Sequence, residues 1–539
     1  MLIPAPSLVE LVWWLGLPLA LFVALGLLIR RRRAGVPRTI ELALSSRWAP
    51  IVAGGISAAI LLFVWRSPIE PQPIHDEQAY VLQAEIFAGG HWTGEPPPIP
   101  EFFEQTHVFI EPRLASKYPP GTSLLLVPGI WLGLPGLMPL LFTAAAGALV
   151  FAIVRRVFDS SLALATWALW STSTTGLYWR STYFSQNPDA ALWLFSLWAL
   201  LRWKTERRQL WLIAVACVFA WMYLTRPLSA VALAAPVAAA VLVQAWRDGL
   251  VRQAAIATAC AMPLLLINPL WHQKTVGDWR INPYSEYSRQ YMPFDKPGFG
   301  YDATPPIKPP TPPHVWIEGE FIPYHQQHQL SALPAIVTAR IIVLMMALGE
   351  KWRVGLVVLF VVGLIRSRGT LRFAAASAIC LFLAYLLYAH PAWWTVYYTE
   401  VYPVFFVIAV YELMRFGRSV LKLDEQGCRA AFIAGLTLIT PWMAADVIRA
   451  RAQSDARSGF QRQAVKTLSA IPDARAIVFV EYPPDHLHFQ SLVGNTPDYR
   501  SARLWMVYDR GEDNERLLGI TDRAAYRLKT ATWTLERIR

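Results

Sequence analysis

The sequence predicts an all-α polytopic membrane protein with about 12 transmembrane helices, amphipathic helices on the outer face and a small C-terminal α/β domain. Two observations predict this class. Hydrophobic residues make up 55% of the 539 residues and charged residues only 16%, which excludes a single soluble domain. Arginines also cluster at the ends of apolar windows longer than the roughly 18 residues that span a bilayer, as the positive-inside rule requires.

The net charge indicates the class of partner, and the positions of the cysteines indicate whether they form disulfides or bind metal. The formal net charge of +12 indicates membrane lipids and no nucleic acid, because the cations lie at predicted helix ends. Three of the four cysteines fall in predicted spans and Cys428 falls in a basic connecting loop. We therefore predict neither disulfides nor a cysteine metal site.

The N-terminal unit, residues 1–47, is predicted to be an extra transmembrane helix followed by a basic cytoplasmic loop. Residues 8–29 are apolar and lead into four consecutive arginines, Arg30 to Arg33. A signal peptide carries its charges before its apolar core, so this order indicates a span with its N-terminus outside.

A transmembrane domain is predicted over residues 48–447, with two long outer loops at 67–121 and 271–332. The second loop is rich in proline pairs, which predict an extended strap across the surface. Residues 333–350 are apolar but contain Arg340, and we expect a helix along or partly in the outer leaflet. From about residue 448 the composition is that of a soluble domain. This C-terminal domain, 448–539, is predicted on the outer face, with a buried strand at 476–480.

The first outer loop carries the strongest candidate for chemistry, the acidic pair Asp76 and Glu77. A carboxylate can act as a general base when partial burial raises its pKa. The same pair also suits the first turn of a surface helix, where the helix dipole favours negative charge, so both interpretations stay open. His75 adjoins the pair, either as a tuning residue or as a solvated loop histidine.

The segment from Ile74 to Gly121 resembles the first outer loop of the GT-C glycosyltransferases. It is most similar to the family 39-like branch of protein O-mannosyltransferases and the lipid A aminoarabinose transferase. The resemblance rests on Asp76-Glu77, on a helix over 78–89 and on Lys117-Tyr118-Pro119-Pro120 before the next span. It covers roughly residues 48–420, and implies a GT-C fold and an extracytoplasmic site in a bacterial plasma membrane. It also implies that Asp76 is the base, with Glu77 orienting the acceptor or sharing a proton.

Two cations are candidates for the donor phosphate, Lys117 and Arg226. The position of Lys117 before Pro-Pro matches the family, although a lysine at a helix end can also simply extend its amine to the interface. Arg226 lies between two apolar runs, where an arginine is costly unless it is paired or faces a cavity. Asp189 lies at the outer start of a predicted span, where the family often carries an acidic residue. It is either a substrate ligand or a partner of Arg226.

Other candidates come from aromatic and histidine-rich segments. Tyr398 and Glu400 precede a span entry that resembles a position near the family's lipid-sugar cavity. His325 and His328 have a spacing compatible with one helical face, but a third ligand is not evident, so no metal site is predicted. No cofactor is required by any motif, and a divalent metal stays possible.

The absence of a P-loop or Rossmann fingerprint leaves ATP and nucleotide-sugar donors without support. The sequence thus predicts a glycosyltransferase that moves a sugar from a polyprenyl phosphate to a lipid, polysaccharide or protein hydroxyl. A transporter or flippase of lipid-linked sugars is the alternative, although no internal repeat supports it. A non-catalytic protein that has kept the fold also stays open.

Overall fold

A computed structural model describes residues 8–32, 35–65, 74–309, 312–484, 486–487 and 490–539. The predicted loop residues 67–73, together with Arg33 and Pro310, lie outside the described residues. Helices dominate the first 468 residues, and a small sheet follows them. The helices of the first half are α1 (Leu8–Arg32), α2 (Arg38–Ser45), α3 (Ala49–Val64), α4 (His75–Ala88), α5 (Gly121–Trp131), α6 (Leu137–Val157), α7 (Ser160–Ser171), α8 (Thr174–Arg180), α9 (Gln186–Glu206), α10 (Gln209–Thr225) and α11 (Pro227–Arg247).

The helices of the second half include five consecutive apolar ones, α16 to α20 as numbered below, and several shorter ones. They are α12 (Val251–Leu265), α13 (Ile267–Val276), α14 (Pro283–Tyr291), α15 (Pro312–Gln327), α16 (Leu333–Leu348), α17 (Val354–Arg366), α18 (Gly369–Tyr385), α19 (Tyr402–Ser419), α20 (Glu425–Arg457), α21 (Gly459–Leu468) and α22 (Asn514–Leu518).

Six helical segments among the described residues are long and apolar enough to cross a membrane, and up to eight are if each bent pair counts as one span. The predicted class, mostly helical with several apolar helices and a small sheet domain, is confirmed. The number of about 12 spans stays a prediction. Proline and polar breaks shorten several apolar helices, and α10, for example, ends at Arg226-Pro227 after 17 residues.

Close packing of small residues holds the bundle together at α3 and α6. A Cβ added at Gly54 would lie 2.5 Å from the backbone oxygen of Ala144, so the two helices are in backbone contact there. Nearby, the Ser57 hydroxyl contacts Ser171 Oγ at 3.0 Å and accepts from the Trp167 indole at 2.9 Å. This contact joins α3 to α7 through buried polar groups, each of which has a partner.

The proline-rich loop differs from the extended strap that the sequence predicts. Helix α14 and helix α15 lie within it, and of its described residues only 277–282, 292–309 and 328–329 lack helical structure. Pro283 and Pro312 each stand in the first turn of a helix, where the missing N–H has no intrahelical acceptor to lose. Proline at these positions starts a helix instead of preventing one.

A two-residue pair of strands, β1 (Val108–Phe109) and β2 (Ala115–Ser116), lies in the first loop. The C-terminal sheet consists of β3 (Ala476–Glu481), β4 (Leu504–Tyr508), β5 (Ala524–Lys529) and β6 (Thr534–Arg537), in the spatial order β4-β3-β5-β6. Strand β3 pairs in parallel with β4 and β5, and β6 closes one edge antiparallel. The predicted strand at 476–480 therefore forms the centre of the sheet, which explains its continuous apolar run.

This sheet packs directly on the first loop, and we call that end of the molecule the loop face. Phe103 is 1% exposed and lies edge-on to the rings of Tyr499 and Trp505, at 5.2 and 5.5 Å. Gln78 of α4 donates to the Ser491 carbonyl at 3.0 Å. The C-terminal domain thus covers the helix that carries the acidic pair.

Candidate active site

The acidic pair lies in the first turn of α4, as the sequence predicts, and the two carboxylates have different surroundings. Ile74 caps the helix in an extended conformation, and Asp76 and Glu77 follow it directly. The Asp76 side chain keeps 29% of its surface exposed, whereas Glu77 is 1% exposed. The helix dipole stabilises both charges, but only Asp76 is open to a reactant.

Asp76 is surrounded by three polar side chains. The Tyr118 hydroxyl donates to Oδ1, and His75 Nδ1 lies 2.7 Å from Oδ2. His107 Nε2 lies 3.8 Å from the same oxygen. Burial raises the pKa of this carboxyl, but the two histidines and the Tyr118 hydrogen bond outweigh it and hold the pKa well below its usual range. Asp76 is therefore a carboxylate at neutral pH.

Glu77 turns away from Asp76 towards the segment between α8 and α9. Its Oε2 accepts a hydrogen bond from the backbone N–H of Tyr183 at 3.0 Å. Burial raises the pKa of Glu77 to about 7, although the Arg457 guanidinium and the Tyr183 N–H oppose this. This geometry suits a residue that fixes α4 against the bundle more than one that contacts a reactant.

Lys117 lies on the other side of Tyr118 and reaches the second loop. Its Nζ is 3.1 Å from Asp295 Oδ2 and 4.2 Å from the centre of the Tyr284 ring. Asp295 also accepts from the hydroxyls of Tyr388, at 2.8 Å, and Tyr284. Burial raises the pKa of Asp295, but Lys117 and the Tyr388 hydroxyl outweigh it and bring the pKa below its ordinary value, so Asp295 is a carboxylate.

Arg226 forms the opposite wall, where α10 ends. Its Nε lies 3.5 Å from Glu400 Oε1, and the same nitrogen donates to Ser229 at 3.2 Å. Nη1 donates to Ser185 Oγ at 3.2 Å, which in turn accepts from the Tyr80 hydroxyl of α4 at 3.1 Å. Because the Tyr80 ring stacks on Tyr118 at 4.7 Å, a continuous set of contacts joins Arg226 to Asp76.

Most of the predicted residues thus meet in one cluster, and two lie at its edge. Asp189 is fully buried and accepts from Thr225, the residue before Arg226. Tyr398 is 1% exposed, and its hydroxyl contacts His390 Nε2 at 3.2 Å. Both side chains support the walls of the cluster from behind.

Several residues of the cluster were missed by the sequence reasoning. His107 and Asp295 stand in irregular segments without a motif, and only the fold brings them to Asp76 and Lys117. Tyr118 stands in the Lys-Tyr-Pro-Pro segment, whose resemblance to the family assigns no role to the tyrosine.

One group of side chains among those described has the chemistry and spacing for a metal ion. The ligand atoms of His75, Asp76 and His107 all lie within 4.8 Å of one another. Two imidazoles and a carboxylate fit a divalent cation such as Zn²⁺ or Mn²⁺. His325 and His328 do not form such a group in the described chain, because His328 lies beyond the end of α15 and contacts the Leu386 carbonyl at 3.0 Å.

Comparisons with known proteins find a similarity over part of the chain. Residues 136–272 match the model of the family described as dolichyl-phosphate-mannose-protein mannosyltransferase. This match confirms the predicted resemblance to protein mannosyltransferases, which are glycosyltransferases. Asp189 and Arg226 lie inside the matched segment, and Asp76 and Lys117 lie before it. None of the curated proteins matches the chain.

Among solved structures, the chain is similar to ArnT from Cupriavidus metallidurans bound to undecaprenyl phosphate. The identity is 15% and the TM-score 0.46, with 90% of this chain and 94% of that chain covered. The apo state of the same protein gives 15% identity and a TM-score of 0.46, with 88% and 92% covered. The oligosaccharyltransferase AglB from Archaeoglobus fulgidus, in complex with an inhibitory peptide and a dolichol-phosphate, is 14% identical. Its TM-score is 0.36, with 80% of this chain and 63% of that chain covered.

Proposed function

We propose that this chain is an integral membrane glycosyltransferase that moves a sugar from a polyprenyl phosphate to a hydroxyl acceptor. The loop face would be extracytoplasmic, in a bacterial plasma membrane. The family match over residues 136–272 supports the reaction class. The observation that carries the proposal is the position of Asp76, a partly open carboxylate that Tyr118 connects to the neighbouring cation Lys117.

In this proposal the acceptor oxygen attacks the anomeric carbon from the side opposite the phosphate. The new C–O bond forms as the bond to the phosphate oxygen breaks, and the electron pair leaves with the lipid phosphate. Asp76 takes the acceptor proton, and the anomeric configuration inverts. A carboxylate with a lowered pKa is a weak base, but the acceptor proton becomes acidic as its oxygen bonds to an oxocarbenium-like carbon.

Lys117 and Arg226 would stabilise the charge on the leaving phosphate. Each has a buried carboxylate partner, Asp295 at 3.1 Å and Glu400 at 3.5 Å. A partner of this kind keeps a buried cation ionised and in place before the donor arrives. The tyrosine rings between the two cations, which include Tyr388 and Tyr397, would contact the sugar of the donor.

A divalent metal is a second element of the proposal. His75, Asp76 and His107 would hold the ion, which would supply a Lewis acid that polarises a donor or acceptor oxygen. Both imidazoles are buried beside the Asp76 carboxylate, and this position suits ligands of a cation, since burial favours the neutral imidazole that a metal binds.

The test is transfer of radiolabelled sugar from synthetic polyprenyl-phosphate donors in membranes that contain the wild-type chain or Asp76→Asn. We expect label on an acceptor with the wild type and its loss in the variant at equal expression. Glu95→Gln is the matched control, because Glu95 lies in the same loop with its side chain 77% exposed. Equal transfer in wild type and Asp76→Asn removes Asp76 from the mechanism. No transfer with any donor leaves the flippase alternative, which a lipid-sugar flipping assay then examines.

A further inference from the structure

A cavity lies among the bundle helices, apart from the Asp76 cluster, and Arg180 at the end of α8 lines it. The side chain of Arg180 is 93% buried, being 7% exposed. Thr143 of α6, Asn187 of α9 and Thr399 line the same cavity, and Trp170 and Tyr402 supply much of its apolar wall. None of the catalytic candidates lies in this lining.

Most of the guanidinium of Arg180 is occupied by backbone carbonyls. Nε donates to Gly176 at 3.0 Å, and Nη2 donates to Trp170 at 2.9 Å and to Ser171 at 3.2 Å. Glycine at position 176 leaves room for this conformation of Arg180, because a Cβ there would lie only 3.3 Å from Arg180 Nη2. The arginine is thus held rigidly with one nitrogen, Nη1, left over.

Two buried polar atoms of this cavity have no hydrogen-bond partner within the described part of the chain. They are Arg180 Nη1 and Thr143 Oγ1. A buried donor without a partner costs free energy that native proteins rarely leave unrecovered. Two such atoms on one cavity indicate that a ligand or water fills it.

The charge of Arg180 decides between a ligand and water. Its neighbour Arg353 binds the same end of α7, through the Leu169 carbonyl at 2.7 Å, and pairs with Asp446 at 2.8 Å. Arg180 has no carboxylate within ion-pair distance among the described residues, and the partial negative charge of one helix end is shared by the two arginines. The Trp170 ring lies 4.1 Å from the guanidinium carbon and attracts the cation, and water would satisfy the orphan donors, but neither supplies a negative charge.

We infer that this cavity is a binding site for a phosphate group, separate from the donor-phosphate residues Lys117 and Arg226. Arginine and hydroxyl donors are the usual protein ligands of phosphate oxygens. Arg180 ends α8 and Asn187 is the second residue of α9, whereas Thr143 is the seventh residue of α6, about 9 Å along that candidate span. The cavity therefore lies in the third of the bundle nearest the loop face. The phosphate comes either from a membrane lipid or from free phosphate.

The experiment measures binding to the full-length chain in detergent, with no sugar donor, so its result does not depend on the proposed transfer reaction. The probes are a short-chain phosphatidic acid, the diacylglycerol with the same tails, and inorganic phosphate. Binding of each probe is measured as the rise that it causes in the unfolding temperature. We expect stabilisation by phosphatidic acid and none by diacylglycerol. If inorganic phosphate competes, the site recognises the phosphate alone. If it does not compete, the lipid is the source.

Variants assign the binding to this cavity. Thr143→Val should weaken binding roughly 10-fold, because it removes one hydrogen bond to a charged ligand. Arg180→Gln should abolish binding over the accessible concentration range. Thr166→Val is the matched control, since Thr166 Oγ1 is also buried without a partner in the described chain but lies outside the cavity.

The inference does not depend on Arg180→Gln folding, because Thr143→Val removes a hydroxyl that bonds nothing in the described structure. It is overturned if neither phosphate probe binds the wild type. It is also overturned if Thr143→Val binds phosphatidic acid as tightly as Thr166→Val does.

Discussion

Lys117 Nζ lies 3.1 Å from Asp295 Oδ2, and this ion pair joins the first loop to the second. The lysine side chain is 1% exposed and the aspartate 11%. Asp295→Asn leaves a buried cation without its partner, and we expect a loss of about 3 kcal/mol of stability, because removing one member of a buried pair strands the other. Thermal unfolding in detergent measures it.

The control for this prediction is Asp302→Asn in the same loop. Asp302 pairs with Lys296, whose side chain is 55% exposed, and water compensates either charge when the other is removed. We expect little or no change in its unfolding temperature. A similar loss in both variants would show that the Lys117 pair is no stronger than a surface contact.

Tyr118→Phe tests whether the hydrogen bond to Asp76 positions the reactive carboxylate. The change removes one hydroxyl and leaves the ring stacked on Tyr80. We expect kcat for sugar transfer to fall roughly 10-fold, which is the effect of one hydrogen bond to a charged group, while the KM for the donor stays unchanged. Tyr301→Phe in the second loop is the control. A change in donor KM alone would assign Tyr118 to binding and not to the positioning of Asp76.

Chelation tests the three-residue cluster at Asp76. If His75, Asp76 and His107 hold a divalent cation, EDTA should abolish transfer and added Mn²⁺ or Zn²⁺ should restore it. His107→Gln should then raise the metal concentration needed for half-maximal activity about 10-fold or more. His272→Gln is the control, because His272 is only half-buried and lies outside the cluster. Full activity after exhaustive chelation would exclude a required metal.

Glu104 gives a prediction about pH. Burial raises the pKa of this carboxyl to about 7, partly opposed by Lys308. The folded state therefore binds more protons than the unfolded state between about pH 4.5 and 7, so stability should fall as the pH rises through this window and level off above it. The full effect is up to about 3 kcal/mol.

Glu104→Gln removes the titrating group and should flatten this part of the stability profile, measured as unfolding temperature between pH 5 and pH 8. Glu95→Gln, at an exposed position of the same loop, serves as the reference. If the unfolding temperature of Glu104→Gln depends on pH as steeply as that of the wild type, other buried acids, such as Glu85, determine the pH dependence.

Phe103→Ala tests how firmly the C-terminal domain is attached. Phe103 is buried between Tyr499 and Trp505, and its truncation should cost about 3–4 kcal/mol at this interface. We expect proteases to cleave the first loop and the C-terminal domain faster in this variant than in the wild type. Glu101→Gln, which breaks the exposed pair with Arg516, should leave the cleavage rate nearly unchanged. Equal cleavage rates in the two variants would contradict a packed interface.

The sequence predicted the parts of this site that local chemistry encodes. Asp76 and Glu77 stand in a helix start as expected, and the apolar run at 476–480 is the central strand. Contacts between distant segments could not be predicted, because His107 and Asp295 belong to irregular segments whose position only the fold determines. The number of prolines could not predict the helices in the proline-rich loop. A proline prevents a helix in its interior but favours one in its first turn, so its position relative to the helix start decides.

Helix α20 runs without interruption from Glu425 to Arg457, and only the short α21 separates it from the sheet. The last ten residues extend about 15 Å beyond the apolar part of the helix. Arg457 at its end donates to the carbonyls of Tyr178 and Ser181, so this stem is anchored at its tip as well as at its base. Ala450, in the same stretch, is fully buried against Leu61, Val64 and Leu177, so the end of α20 packs on the bundle along its side. The length of α20 consequently fixes where the C-terminal domain meets α4. Inserting one helical turn into α20 would break the contact of Gln78 with Ser491 without altering a residue of the Asp76 cluster.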